Sequence, residues 1–280
     1  MLFTIINRFT CNNSQLPKFI EKIKKSSSYP IIDYINEDPK KSKINYTIIK
    51  NNILTYHNNV FAIKLSSLNV NEDKNNSFKL LDNLCYYAYT HNSKIMIDAE
   101  NYEIQHDIDY ISNIMMEKYN KKNVTIYKTY QMYRKDSLTT LTNDLLSNRN
   151  YYLGIKLVRG AYYNQDHKYN ILYNTIENTH NNYNEGIMNC LKNTRNKDKL
   201  VIASHNDNSI VYTIEQNKVF QRNNICFAQL MGMDNKNKKT IVNNNYLFYT
   251  YLPYGDLTES IPYLIRRLYE NYPLISKIIK

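Results

Sequence analysis

The sequence predicts an α/β fold, a single (β/α)8 barrel. Eight short apolar runs alternate with longer segments of helical length. No low-complexity linker or composition break divides the chain, and 280 residues suit one domain of barrel size. Apolar runs bounded by turn residues read as strands buried on both faces. Repeating strand and helix eight times closes a barrel.

The runs come in order. They are Pro30–Asn36, Val60–Leu68, Lys94–Glu100, Thr125–Gln131, Tyr151–Gly160, Leu200–Asn206, Ile225–Met231 and Leu247–Gly255. Crossover helices are read, for example, at Phe78–Thr90, Asp107–Lys118, Ser137–Leu146 and Tyr169–Leu191. Asn-rich spots such as Asn243–Asn245 are ordinary connections. Residues 1–29 are assigned to an N-terminal extension and 30–280 to the barrel. The opening MLFTIINRFT reads either as a segment packed on the domain or as the remnant of a transit peptide, although it lacks the Arg- and Ser-rich run of the latter.

Composition excludes several classes. Hydrophobic residues at 42% can build a sizeable core, which excludes wholesale disorder. Cys11, Cys85, Cys190 and Cys226 lie far apart with no CxxC pair. That argues against a zinc ribbon, a thioredoxin-type site and a dense disulfide framework, and fits a reducing compartment. No stretch approaches the roughly 18 apolar residues of a membrane-spanning helix. The net charge is +11. Asn, Lys, Ile and Tyr are abundant, as AT-rich codons would make them, and the positive charges are scattered. No nucleic-acid partner is expected from them.

Chemistry is expected where barrel strands end, at their C-terminal face. Each run after the first carries polar groups there: Lys64, Asp98 with Glu100, Gln131, Lys156 and Arg159, His205 and Asn206, Gln229, and Tyr251. A charge in a buried run is costly unless paired. Singly, each has a bland reading: Lys64 snorkelling to the rim, Asp98 capping a helix, His205 satisfied in the core. On strand after strand, they suggest convergence on a ligand. Near the C-terminus, Tyr263, Arg266, Arg267 and Glu270 are spaced i, i+3, i+4, i+7 and share one helical face. Spacing alone fits either a solvated face or a carboxylate clamp of adjacent guanidinium groups. There is no GxGxxG, P-loop, HExxH or Gly-x-Ser-x-Gly, and no metal site is expected.

Eight segments carry a resemblance. They are IIDYINE (31–37), AIKLSSL (62–68), IDAE (97–100), TYQMY (129–133), KLVRGAY (156–162), ASHN (203–206), QLMGM (229–233) and YLPYGDLTESIPYLIRRLYEN (251–271). In order, over nearly the whole chain, they resemble the proline dehydrogenases, flavin-dependent proline oxidases. The Arg in KLVRGAY and the QLMGMD stretch are similar to the eukaryotic branch, whose long early insertion is missing here. The resemblance implies a distorted (β/α)8 TIM barrel with the last helix across its mouth. It also implies FAD held without a Rossmann motif, and oxidation of L-proline to Δ1-pyrroline-5-carboxylate by hydride transfer to flavin N5. Electrons would pass to a membrane quinone, with peripheral membrane contact and a location in mitochondria, or otherwise in the cytoplasm.

The resemblance also assigns roles residue by residue. Arg266, Arg267 and Lys64 would face the proline carboxylate. Asp98, Tyr162, Tyr251 and Tyr263 would line the substrate pocket, with Leu230 in its apolar wall and Glu37 closing it against an arginine of the last helix. Gln131, Lys156, Val158, Gly160, His205 and Glu270 fall at flavin-site positions. Lys156 stands where some members have Arg near N5, and Tyr163 where some bacterial members have Trp. Thr179 matches a Thr near the adenosine end of FAD. Two other readings are a flavoenzyme for hydroxyproline or another secondary amino acid, and a non-catalytic binding barrel.

Overall fold

Strands covered on both sides must be apolar on both faces, and the eight runs meet that condition. The computed structural model describes residues 8–233 and 237–256. Its strands are β1 (Tyr29–Tyr34), β2 (Val60–Ile63), β3 (Lys94–Ile97), β4 (Ile126–Gln131), β5 (Gly154–Val158), β6 (Lys199–Ala203), β7 (Ile225–Leu230) and β8 (Leu247–Tyr254). They form one closed barrel in sequence order, every neighbouring pair parallel. The helices are α1 (Leu16–Lys25), α2 (Ser42–Thr55), α3 (Lys74–Thr90), α4 (Tyr102–Tyr119), α5 (Ser137–Leu146), α6 (Tyr163–Asp166), α7 (Ile176–Asn193), α8 (Asp207–Phe220) and α9 (Lys238–Asn243).

Alternation along the strands builds two cores. Ile31, Ala62, Met96, Tyr127, Val201, Cys226, Ala228, Tyr249 and Tyr251 fill the barrel interior. Their strand neighbours, such as Ile32, Phe61, Ile95, Ile155, Leu200 and Phe227, pack outward with the helices. Continuing the inward series toward the strand ends leads from apolar residues to Asp33, Lys64, Asp98, Gln131 and Lys156, all buried.

Several elements differ from the sequence expectation, and local hydrogen bonds explain why. The run from Val60 stops being strand at Ile63, because Leu68 N–H bonds Leu65 and Ser67 Oγ bonds Lys64 O, winding Ser66–Leu68 into a 3-10 turn. The run from Tyr151 becomes strand only at Gly154, since Asn120 ties up the Tyr152 carbonyl. The helix expected from Tyr169 begins at Ile176: Asn170 is left-handed at φ 53°, and Thr175 caps the Asn178 N–H. α3 and α4 begin earlier than expected, at caps Asp73 and Asn101.

Residues 8–28 lie against the barrel. Leu16, Ile20 and Ile23 of α1 join the outer core. Before them, residues 8–13 run beside the end of β8. Cys11 bridges Tyr254, Thr10 Oγ1 donates to Pro253 O, and Gly255 N–H donates to Cys11 O.

Candidate active site

Four charges alternate around the C-terminal mouth. Asp33 of β1 accepts from Lys64 Nζ at 2.8 Å. Lys64 follows β2, and its Nζ is 3.9 Å from Glu37 and 4.0 Å from Asp98. Asp98 follows β3 and accepts from Lys156 Nζ of β5 at 2.6 Å and from the Tyr251 hydroxyl of β8 at 2.6 Å. Lys156 also lies 5.0 Å from the centre of the Tyr251 ring, a cation–π contact. The structure thus joins Lys64, Asp98, Lys156, Tyr251 and Glu37 into one network.

Burial alone would raise the Asp98 pKa. Lys156 and Lys64, with hydrogen bonds from Lys156 and Tyr251, overcome it and hold Asp98 below the usual carboxylate range. Asp33 goes the other way: burial pushes it up, and Lys64 opposes only in part. Glu100, bonded by the Ser66 N–H, is pushed up to about 7 by burial.

Gln131 spans two loops, donating to Glu100 O at 2.7 Å and accepting from Ala161 N–H at 3.2 Å. Val158 pairs with it across β4 and β5. Gly160 follows at φ 142° against the Tyr133 ring, where a Cβ would collide. His205 Nε2 accepts the Leu230 N–H at 3.0 Å, so the proton of the neutral ring sits on Nδ1. Burial lowers the His205 pKa to about 4, which keeps that ring neutral. Its Nδ1 and the nearby Gln229 Oε1 are buried without a hydrogen-bond partner among the described residues.

Tyr162 is buried at the start of α6. Tyr163 is exposed and stacks on His167. Thr179 is buried on α7, with its hydroxyl toward Thr175 O. Tyr263, Arg266, Arg267 and Glu270 lie outside the described residues.

The sequence reading passed over two groups. Asp33 is as conspicuous as Lys64 once the first run, PIIDYIN, is treated like the others: a carboxylate inside an apolar strand. Arg159, inside the fifth run, carries no role in the sequence reading. Its guanidinium donates to His180 Nδ1, Ser204 Oγ and Ser209 Oγ and stacks 4.3 Å from the Tyr183 ring. Among the described residues these partners are all neutral and do not offset its charge.

These features define the class: a closed parallel (β/α)8 barrel with a buried ion-pair network at its C-terminal mouth. A family model described as "Proline dehydrogenase" matches residues 16–278, and the chain belongs to that family. It is 33% identical over 227 residues to "Proline dehydrogenase 1, mitochondrial" of Drosophila melanogaster, covering 73% of this chain and 33% of that protein. It is 32% identical to the protein of the same name in Dictyostelium discoideum, covering 96% of this chain and 46% of that protein. The chain therefore spans less than half the length of these relatives. The crystal structure of proline utilization A from Bdellovibrio bacteriovorus superposes with a TM-score of 0.86 at 18% identity, over 96% of this chain and 33% of that one. At that identity the likeness is one of fold.

Proposed function

We propose that this chain catalyses the FAD-dependent oxidation of L-proline to Δ1-pyrroline-5-carboxylate, with electrons passed on to a quinone. The observation that carries the reading is the Lys64–Asp98–Lys156–Tyr251 network at the mouth of a barrel of this family. The residues present fit the cofactor. His205 Nδ1–H and Gln229 Oε1, without a hydrogen-bond partner among the described residues, offer one buried donor and one acceptor to a heterocycle edge. Arg159, whose partners among the described residues are all neutral, offers a positive charge suited to phosphates. Gln131, Val158, Gly160, Tyr163, Thr179 and Glu270 complete the proposed cofactor residues. When bound, FAD supplies the hydride acceptor, at N5.

The protein's own groups do the rest. Lys64, with Arg266 and Arg267, binds the substrate carboxylate and fixes the ring in one orientation. Tyr162, Tyr251, Tyr263 and Leu230 exclude water from the ring, and Glu37 closes the pocket. Asp98 locks Lys156 and Tyr251 in place through its two oxygens. Lys156 keeps a positive charge where negative charge develops. Hydride leaves carbon more readily when the adjacent amine is neutral, so the bound substrate must lose its amine proton. Location in mitochondria, as the names of the relatives state for themselves, and docking of this basic chain to anionic lipid complete the reading. Among the described residues no helix is long and apolar enough to cross a membrane.

The experiment is an absorbance spectrum of the purified protein before and after anaerobic L-proline. Bleaching of a flavin spectrum is the expected result. A flavin that stays oxidised with proline but bleaches with trans-4-hydroxyproline moves the substrate. Colourless protein after incubation with FAD overturns the reading. Arg266→Ala and Arg267→Met should each raise the proline KM strongly, by roughly 2–5 kcal/mol of lost binding. Unchanged kinetics in both would remove the clamp.

A further inference from the structure

We infer that Asp33 is a positioning residue for this reaction: it holds the Lys64 ammonium for the substrate carboxylate and keeps it off Asp98. The inference rests on the reading of Lys64 given above. Asp33 is fully buried on β1 and pairs across the sheet with Ala62, two residues before Lys64. Its Oδ1 accepts the 2.8 Å bond from Lys64, while its Oδ2 has no hydrogen-bond partner among the described residues. Its hydrogen bonding is therefore directed at Lys64.

The neighbouring distances show what that bond prevents. Lys64 Nζ is 4.0 Å from Asp98 Oδ2, outside hydrogen-bond range, although that atom is one of the nearest carboxylate oxygens. Both oxygens of Asp98 already serve Lys156 and Tyr251. A lysine is a compact charge on a flexible stem. Without Asp33, a shift of about 1 Å would bring its ammonium into hydrogen-bond range of Asp98, in competition with Tyr251. Asp33 thus pairs with Lys64 as Asp98 pairs with Lys156, while Glu37 stands 3.9 Å from the Lys64 ammonium. The first pair is assigned to the carboxylate and the second to the reacting end.

The test uses the flavin-loaded protein and its Asp33→Asn, Lys64→Met and double variants. Two quantities are measured: KM and kcat for L-proline, and calorimetric affinity for cyclopentanecarboxylate, a ring carboxylate with no nitrogen to oxidise. Asp33→Asn and Lys64→Met should each weaken both KM and analogue binding about tenfold or more, with a much smaller change in kcat. The double variant should match Lys64→Met within about twofold, because Asp33 acts only through Lys64. Normal binding by Asp33→Asn alongside impaired Lys64→Met overturns the inference and leaves the proposed function standing. A double variant clearly weaker than Lys64→Met also overturns it. Should Asp33→Asn fail to fold, Asp33→Glu takes its place: it keeps the buried charge pair but moves the ammonium by about one methylene. It should weaken analogue binding severalfold in the Lys64 protein and not in Lys64→Met; unchanged binding overturns the inference. Normal binding by Lys64→Met removes the carboxylate role of Lys64 itself and the inference with it.

Discussion

Replacing Asp98 by Asn tests the central ion-pair network through stability, independently of any substrate. The substitution keeps the shape and removes one charge. At an effective dielectric of ~20, charges separated by the 2.6 Å to Lys156 and the 4.0 Å to Lys64 attract by about 6 and 4 kcal/mol. Desolvation of the buried groups offsets much of that, and removing one partner of such a pair leaves a net loss of roughly 3–5 kcal/mol. The unfolding temperature at pH 7 should drop by on the order of 10 °C. The pH dependence has a definite sign. The folded pKa of Asp98 is depressed, so its contribution is present above the ordinary carboxylate range and lost as pH falls through the depressed value. Thermal melts of both proteins from pH 7 down to pH ~3 should show the gap closing in acid. No gap at pH 7, or one that widens on acidification, would refute the assignment of Asp98 as the anion that pairs with Lys156 in the field of Lys64.

Two further outcomes follow from groups outside the substrate-binding residues. Asp198 is fully buried at the opposite face of the barrel and accepts four bonds: from Arg149 Nη1 and Nη2 at 2.9 and 2.7 Å, Leu153 N–H at 2.8 Å and Arg195 N–H at 2.7 Å. Asp198→Asn should cost about 3 kcal/mol, roughly 6–12 °C in melting temperature, with KM unchanged, as differential scanning calorimetry and steady-state kinetics will show. Glu100 has its pKa raised from 4.5 to about 7, so its contribution is complete below 4.5 and is lost as pH rises through 7. Glu100→Gln should remove about 3 kcal/mol of that pH dependence between pH 4.5 and 7, read as a flatter plot of unfolding free energy against pH.

The barrel was legible because parallel strands covered on both faces leave a strong trace, an apolar run with polar residues only at its end. Lys64, Asp98 and Lys156 were legible for the same reason, as charges in places that otherwise exclude them. What the sequence did not carry was their pairing. Asp98 read equally well as a helix cap, yet Asn101 caps that helix and Asp98 reaches across the barrel to β5 and β8. That choice depends on barrel closure, which local spacing does not encode. Strand ends were overrun for a related reason: the apolar pattern continues through Leu65 and Leu68, and only hydrogen bonds within the turn mark the change. The division at residue 30 followed the first strand-like run, and Leu16, Ile20 and Ile23 are buried before it. Asp33 carries the same signal as Lys64, a charge inside the apolar run PIIDYIN.

The short stretch beside β8 has a consequence for the order in which the molecule assembles. Thr10 bonds a carbonyl 243 positions later, and Arg8 one 224 positions later. The seam between β1 and β8 joins equally distant partners. These contacts are not complete until synthesis has passed Gly255. Residues 8–11 are therefore made long before the partners they bond. Until then β1 presents an open edge, able to pair with another chain. Closure of the ring is a late, long-range step, slowed by the loop it must close. Crowded nascent chains would be vulnerable at that edge, and loosening of residues 8–13 in the finished protein would begin to reopen it.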